Sequence, residues 1–134
     1  MPADFLDTNV LVYLALNEGA KSDRAEELIA AGATISVQVL NEVANVTRRK
    51  RLRPWQEVQS FLAGIRALLV VEPLTLNTHE TGLRIAERYK LAIYDSMIVA
   101  SALLADCSTL WSEDMQDGLV IEDVLTIRDP FVSA

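Results

Sequence analysis

The stretch "ADFLDTNVLVYLAL", residues 3–16, decides how this chain folds. An apolar run stops on a carboxylate, Asp7, and resumes after only "DTN", with no Gly or Pro to mark a solvent loop. It reads as a short strand, "ADFLD", passing directly into an apolar helix, "NVLVYLAL". Asp7 then stands at a strand's carboxyl end and a helix's start. Two explanations are open there. Asp7 or Thr8 caps the helix, as Asp and Thr commonly do, or chemistry requires an acid at the edge of the core.

The same alternation continues outward from this unit. Gly19 breaks the first helix, and "SDRAEELIAAG" forms a second, with Ser22 as its cap and Gly32 as its stop. "ATISV" is a second strand, followed by the helical "QVLNEVANVTRRKRL", in which Val39, Val43 and Val46 share one face. Pro54 opens "PWQEVQSFLAGIRALL", and "LVVEP" is a third strand. "NTHETGLRIAERYKL" is an amphipathic helix, and "YDSMIVASALLADC" is apolar nearly all round and so buried. "STLW" and "VLTI" are the last strands, around a "SEDMQDG" loop. Short apolar strands alternating with helices predict an α/β domain: a mainly parallel sheet in a three-layer α/β/α sandwich, spanning residues 1–134 as one domain.

Composition narrows the function classes. Half the residues are hydrophobic, so a packed core is expected rather than disorder. No apolar run reaches the roughly 20 residues that span a bilayer, and the N-terminus lacks a basic-then-apolar signal. The single cysteine, Cys107, excludes an intramolecular disulfide framework and fits a reducing cytoplasm. A formal charge of −7 argues against nucleic acid as a partner unless the acids are gathered to hold a cation, which inverts the local sign.

Sites in open α/β sheets form at the carboxyl ends of strands, and acids stand at several of these ends. Asp7 follows the first strand, Glu42 lies about a turn beyond the second, and Asp114 and Asp117 follow "STLW". Asp95 opens the buried helix and shares a face with Ile98, Val99 and Ala102, where a lone ionised carboxylate costs several kcal/mol. Each acid also has an ordinary explanation. Asp95 and Asp7 are good N-caps, Glu42 is within reach of "RRKR" for a surface ion pair, and Asp114 and Asp117 sit in a polar turn. Together they fit a hard divalent cation, since Mg²⁺ takes oxygen ligands and typically one or two carboxylates with water and phosphate oxygens. No Cys/His spacing suits zinc. The one histidine, His79, lies in the first turn of a polar helix and is expected at the surface, and Cys107 in the core.

"FLDTNVLVY", "SVQVLNEV", "YDSMIVASAL" and "LWSEDMQDG" occur in the order and spacing of PIN-domain ribonucleases, and the chain resembles in particular the VapC-type toxins of bacterial toxin–antitoxin pairs. The resemblance covers essentially the whole chain. It implies an acidic pocket binding Mg²⁺, with Mn²⁺ able to substitute; from the placement of the acids, in-line attack of a metal-activated water on RNA is then expected to leave 5′-phosphate and 3′-hydroxyl ends. Carried onto this sequence, the pocket acids fall on Asp7, Glu42, Asp95 and Asp114, with Asp7, Asp95 and Asp114 holding the cation and Glu42 a ligand or proton acceptor. The last loop of such proteins often reads Thr-x-Asp-x-Asp. Here Ser112 replaces the Thr, and Asp117 lies one residue beyond the second Asp. Thr8 and Ser112 would orient carboxylates or water. The resemblance further implies a cytoplasmic homodimer and a cognate antitoxin, for which Trp55 and Phe61 on the helices between 20 and 69 are candidate anchors, the alternative being that each simply fills the core.

"RRKRLR", residues 48–53, gathers positive charge at the end of the Glu42 helix. Arg48, Arg49 and Arg51 would track an RNA backbone into the pocket, or simply complement the helix dipole. Other classes compete with the nuclease reading. A PIN-like module that binds RNA or protein without catalysis needs none of the acids. A haloacid-dehalogenase-like site expects an Asp where Asn9 stands, and a receiver domain expects an acid pair and a strand-end Lys that are not evident.

Overall fold

The computed structural model describes residues 2–132. Six strands form one sheet: β1 (Asp4–Leu6), β2 (Thr34–Ser36), β3 (Val70–Glu72), β4 (Thr109–Trp111), β5 (Val120–Ile121) and β6 (Leu125–Arg128), in the order β3-β2-β1-β4-β6-β5. Every pairing is parallel except β5 with β6. Helices α1 (Thr8–Leu16), α2 (Gly19–Ala30), α3 (Val37–Asn45), α4 (Trp55–Leu68), α5 (Leu76–Tyr89) and α6 (Ile93–Leu104) flank it, completing the expected sandwich.

The core forms where the central strands meet α1, α3 and α6. Phe5, Leu6, Ile35 and Leu110 from the sheet, Val10 and Leu11 from α1, Val39 and Val43 from α3, and Ile98 and Val99 from α6 are all fully buried. Each such side chain contributes roughly 1.5–3 kcal/mol of burial. Residues 96–102 of α6 are buried without interruption, as its all-round apolar sequence predicts. Cys107 is buried in this core and His79 is exposed. Gly82 lets α5 approach α6, because a Cβ there would stand 2.5 Å from Met97 Sδ and 2.8 Å from its Cε.

Several boundaries differ from the sequence reading. α1 is ended by Asn17 in the left-handed conformation (φ 53°), two residues before Gly19. Gly19 instead opens α2 at φ 56°, so Ser22 is a buried residue of the second turn and not a cap. The α-helix carrying Glu42 stops at Asn45 and widens into a π-helical turn, Val46–Lys50. There the Thr47 hydroxyl donates to the Val43 carbonyl at 2.8 Å and competes with the regular backbone ladder. Strand β5 lies between the "SEDMQDG" loop and "VLTI", in residues to which the sequence reading assigns no element. It is joined to β6 by residues 122–124, of which Glu122 and Asp123 are both at positive φ (49° and 60°) and the Val124 N–H returns to the Ile121 carbonyl at 3.0 Å, the pattern of a tight hairpin turn.

Parallel pairing of β1 with β4 sets Leu6 beside Trp111. The Asp7 N–H donates to the Trp111 carbonyl at 3.0 Å, which extends the ladder one residue further. Asp7 and Ser112, the next residue of each strand, are thereby brought to the same edge.

Candidate functional site

Asp7 is the centre of the site. It is the N-cap of α1, with extended backbone (φ −78°, ψ 165°), and its side chain is only 3% exposed. Oδ1 accepts the Thr8 N–H at 2.7 Å. Oδ2 accepts the Ser112 hydroxyl at 2.7 Å and Asn9 Nδ2 at 3.3 Å. The cap uses Oδ1, while Oδ2 is tied to the loop after β4 and to Asn9. Burial pushes its carboxyl up to about 6. The Ser112 and Thr8 hydrogen bonds oppose that rise, and the charges of Asp95 and Glu42 reinforce it.

Glu42 reaches the site from the second turn of α3, whose N-cap Ser36 accepts the Val39 N–H. One Glu42 oxygen accepts the Thr8 hydroxyl and the other accepts Gln38 Nε2, both at 2.7 Å. Its partners are thus neutral donors, and it makes no ion pair with the basic run among the described residues. Thr8 is the first residue of α1 rather than its cap, which frees its hydroxyl for Glu42.

Asp95 is the third residue of α6 and lies in the positive first turn of that helix; the N-cap position belongs to Ala92. The cap explanation of Asp95 is therefore set aside. The carboxylate is half-buried, and burial first, then the charges of Glu42 and Asp114, push its pKa upward. Asp114 follows β4 and is exposed, held by Asn9 Nδ2 at 3.3 Å. Ser112 organises that loop: its Oγ donates to Asp7 and accepts the N–H groups of Asp114 and Met115, each at 3.2 Å.

Asp7, Glu42, Asp95 and Asp114 all line one cleft of about 480 Å³, together with Thr8, Asn9 and Arg51. Four elements remote in sequence deliver four carboxylates, against Arg51 as the sole cation of the lining. Among the described residues, no three acidic, His or Cys side chains close on a common point as a metal cage. The donor set still suits a hard cation of the Mg²⁺ type, which keeps several waters and takes one or two carboxylates directly. Burial first, and the neighbouring carboxylates after it, raise the carboxyls of Asp7 and Asp95.

Asp117 stands apart. Its Oδ1 accepts the Asp129 N–H at 2.9 Å, and it does not line the cleft. Of the basic run, only Arg51 reaches the cleft, and it also approaches Glu18 at 3.7 Å. Arg48 lies over the Trp55 ring at 4.9 Å, and Arg49 is exposed. Trp55 is 58% exposed, whereas Phe61 packs partly buried against the core. Asn9 is the residue that sequence reasoning passed over. It ties Asp7 to Asp114 and accepts the Glu113 N–H at 3.2 Å, and its signal was the last letter of "DTN".

The family model of the PIN domain matches residues 5–116, which carry all four cleft acids. The chain belongs to the PIN domain family. No curated protein sequence matches it. In fold, this PIN domain is similar to a toxin–antitoxin complex from Klebsiella pneumoniae, with a TM-score of 0.72 at 21% identity, covering 96% of this chain and 98% of that one. It is likewise similar to VapC20 of Mycobacterium tuberculosis, a sarcin–ricin loop cleaving toxin, with a TM-score of 0.67 at 20% identity over 83% of this chain and 89% of that one. VapBC2 from Rickettsia felis, bound to a DNA fragment from its promoter, gives a TM-score of 0.66 at 18% identity over 94% and 97% of the two chains.

Proposed function

We propose that this PIN domain is a divalent-metal-dependent endoribonuclease, the toxin of a toxin–antitoxin pair. The observation that carries this reading is the convergence of Asp7, Glu42, Asp95 and Asp114 on one cleft, with Asp7 buried. Mg²⁺, or Mn²⁺ in its place, would be held by Asp7, Asp95 and Asp114 and would supply charge neutralisation and activation of water. The residues of the chain do the rest. Ser112, Thr8 and Asn9 fix the carboxylates by hydrogen bonds. Glu42, already oriented by Thr8 and Gln38, retains lone pairs to take the attacking water's proton. In-line attack on the RNA phosphodiester then leaves 5′-phosphate and 3′-hydroxyl ends, with no side-chain nucleophile.

The toxin assignment is supported by the fold shared with VapC20 and with the toxin–antitoxin complexes. A cognate antitoxin and a second copy of this chain are the expected protein partners, and the cytoplasm the expected compartment. No helix among the described residues is long and apolar enough to cross a membrane.

The test is cleavage of total RNA, tRNA included, by antitoxin-free protein with Mg²⁺, with Mn²⁺ and with chelator, beside a folded Asp95→Asn variant. Metal-dependent cutting that is lost in the variant is expected, with 5′-phosphate ends on mapping. Ends bearing a 2′,3′-cyclic phosphate would overturn the mechanism. No cutting of any RNA would favour a module that binds without catalysis.

A further inference from the structure

The loop after β4 carries two adjacent acids, Glu113 and Asp114, and only Asp114 lines the cleft. Glu113 is drawn the other way. Its Oε1 meets Lys21 Nζ of α2 at 2.8 Å, across 92 residues of chain. Its Oε2 is buried with no hydrogen-bond partner among the described residues. Its N–H is held by Asn9 Oδ1, on the same side chain that holds Asp114. Lys21 is itself fixed. It donates to the Tyr13 hydroxyl at 3.1 Å and lies over the Tyr13 and Phe131 rings, at 4.4 Å and 5.4 Å from their centroids. Tyr13 in turn lines the cleft.

We propose that Lys21 is a positioning residue for the acidic cleft: by holding the Glu113 carboxylate on the flank, it makes the loop present Asp114, and only Asp114, to the cation. The inference rests on the metal-dependent reading of the cleft. Its physical basis is the choice the loop must make between neighbouring carboxylates. With Lys21 gone, Glu113 has one buried oxygen without a partner and another that has lost its only ion pair, so burial no longer holds it. Turning outward, it drags the Asn9-bound backbone that sets Asp114. Turning inward, it adds a fifth carboxylate to a cleft already lined by Asp7, Glu42, Asp95 and Asp114. An ordinary surface ion pair adds little to stability and has no such consequence.

The experiment measures binding of Mn²⁺ alone by electron paramagnetic resonance of the free ion, on full-length wild type, Lys21→Met, Lys21→Arg, Glu113→Gln and the Lys21→Met/Glu113→Gln double variant. Circular dichroism confirms the fold of each. Loss of a partner that orients a metal ligand typically costs 10–100-fold in affinity. Lys21→Met is therefore expected to bind Mn²⁺ about tenfold more weakly, and Lys21→Arg to stay near wild type. The double variant should recover most of the loss, because the stray carboxylate has been neutralised. Unchanged Mn²⁺ affinity in a folded Lys21→Met would overturn the proposal, as would a loss that Glu113→Gln does not relieve. If wild type itself binds no Mn²⁺, the metal-dependent reading fails separately, and the amide resonances of Asn9 and Asp114 then decide. Their displacement in Lys21→Met but not in Lys21→Arg supports the positioning role, and their constancy overturns it.

Discussion

Ser112 Oγ donates to Asp7 Oδ2 at 2.7 Å, joining residues 105 apart in sequence through the parallel pairing of β1 and β4. This is a charge-assisted bond in a buried place, and its hydroxyl also accepts two loop N–H groups. Ser112→Ala removes all three contacts. The Ser112 bond is the largest influence lowering the Asp7 pKa, so its loss moves that carboxyl further up, and the acid limb of the pH–rate profile moves to higher pH. We expect nuclease activity to fall 10–100-fold and stability by about 1.5–3 kcal/mol. Ser112→Thr keeps the hydroxyl and should retain most of both. Cleavage rates between pH 5.5 and 8.5, with urea unfolding of each variant, check this.

Asp7 also makes a prediction about the metal-free protein. Its folded pKa is about 6 against an ordinary 3.8, so the folded state binds the proton more tightly than the unfolded state. The stability contributed by this group is fully present below about pH 4 and is lost as pH rises through 6. The cost at pH 8 is about 3 kcal/mol, two pKa units at roughly 1.4 kcal/mol each. Asp7→Asn preserves an N-cap while removing the charge. In chelator it should be more stable than wild type at pH 8, by about 1–3 kcal/mol, with the gap closing toward pH 4. Added Mg²⁺ should narrow the gap at pH 8 by stabilising wild type alone. A difference that does not vary with pH would mean that lost hydrogen bonds, not charge, dominate.

How much of this was legible in the sequence follows from which contacts are local. "LDTN" shows an acid at a strand–helix junction, and the 3.6-residue pattern after Asp95 shows an acid on an apolar face. Both are read from neighbours along the chain. Ser112 as donor to Asp7 depends on strand register, which no local pattern in "SEDMQD" encodes. Asp117 looks like a site acid until the fold brings the Asp129 N–H beside it. Strand β5 was invisible because the turn after it reads Glu122-Asp123, with neither Asn nor Gly; both residues take positive φ regardless. The basic run looked like one continuous surface, but the π-helical turn splits it, sending Arg51 toward the cleft and Arg48 onto Trp55.

The α5–α6 contact at Gly82 supports the helix that presents Asp95. Gly82→Val places branched carbons where Met97 Sδ and Cε now lie. Met97 can yield only in part, because it is buried between the two helices, so the substitution overpacks the contact. We expect a loss of about 1–3 kcal/mol by thermal or urea unfolding. Gly82→Ala, with a smaller intrusion and better helix propensity, should lose less.

Arg51 is the one cation lining the acid cleft, and its acidic neighbour Glu18 is 3.7 Å away with both side chains partly exposed. So long and open a pair is weak, which leaves the guanidinium free to exchange Glu18 for an RNA phosphate. Neutralising one phosphate-contacting residue lowers the salt dependence of binding by about one unit in log–log slope. Arg51→Gln should show that change when RNA affinity of a catalytically silent Asp95→Asn background is measured from 50 to 300 mM salt. Arg49→Gln, exposed and away from the cleft, tests whether general positive charge suffices. If Arg51→Gln leaves the slope unchanged, or Arg49→Gln lowers it equally, the backbone does not enter past Arg51. Glu18→Gln completes the argument: removing the competitor should tighten RNA binding at low salt, and only while Arg51 is present.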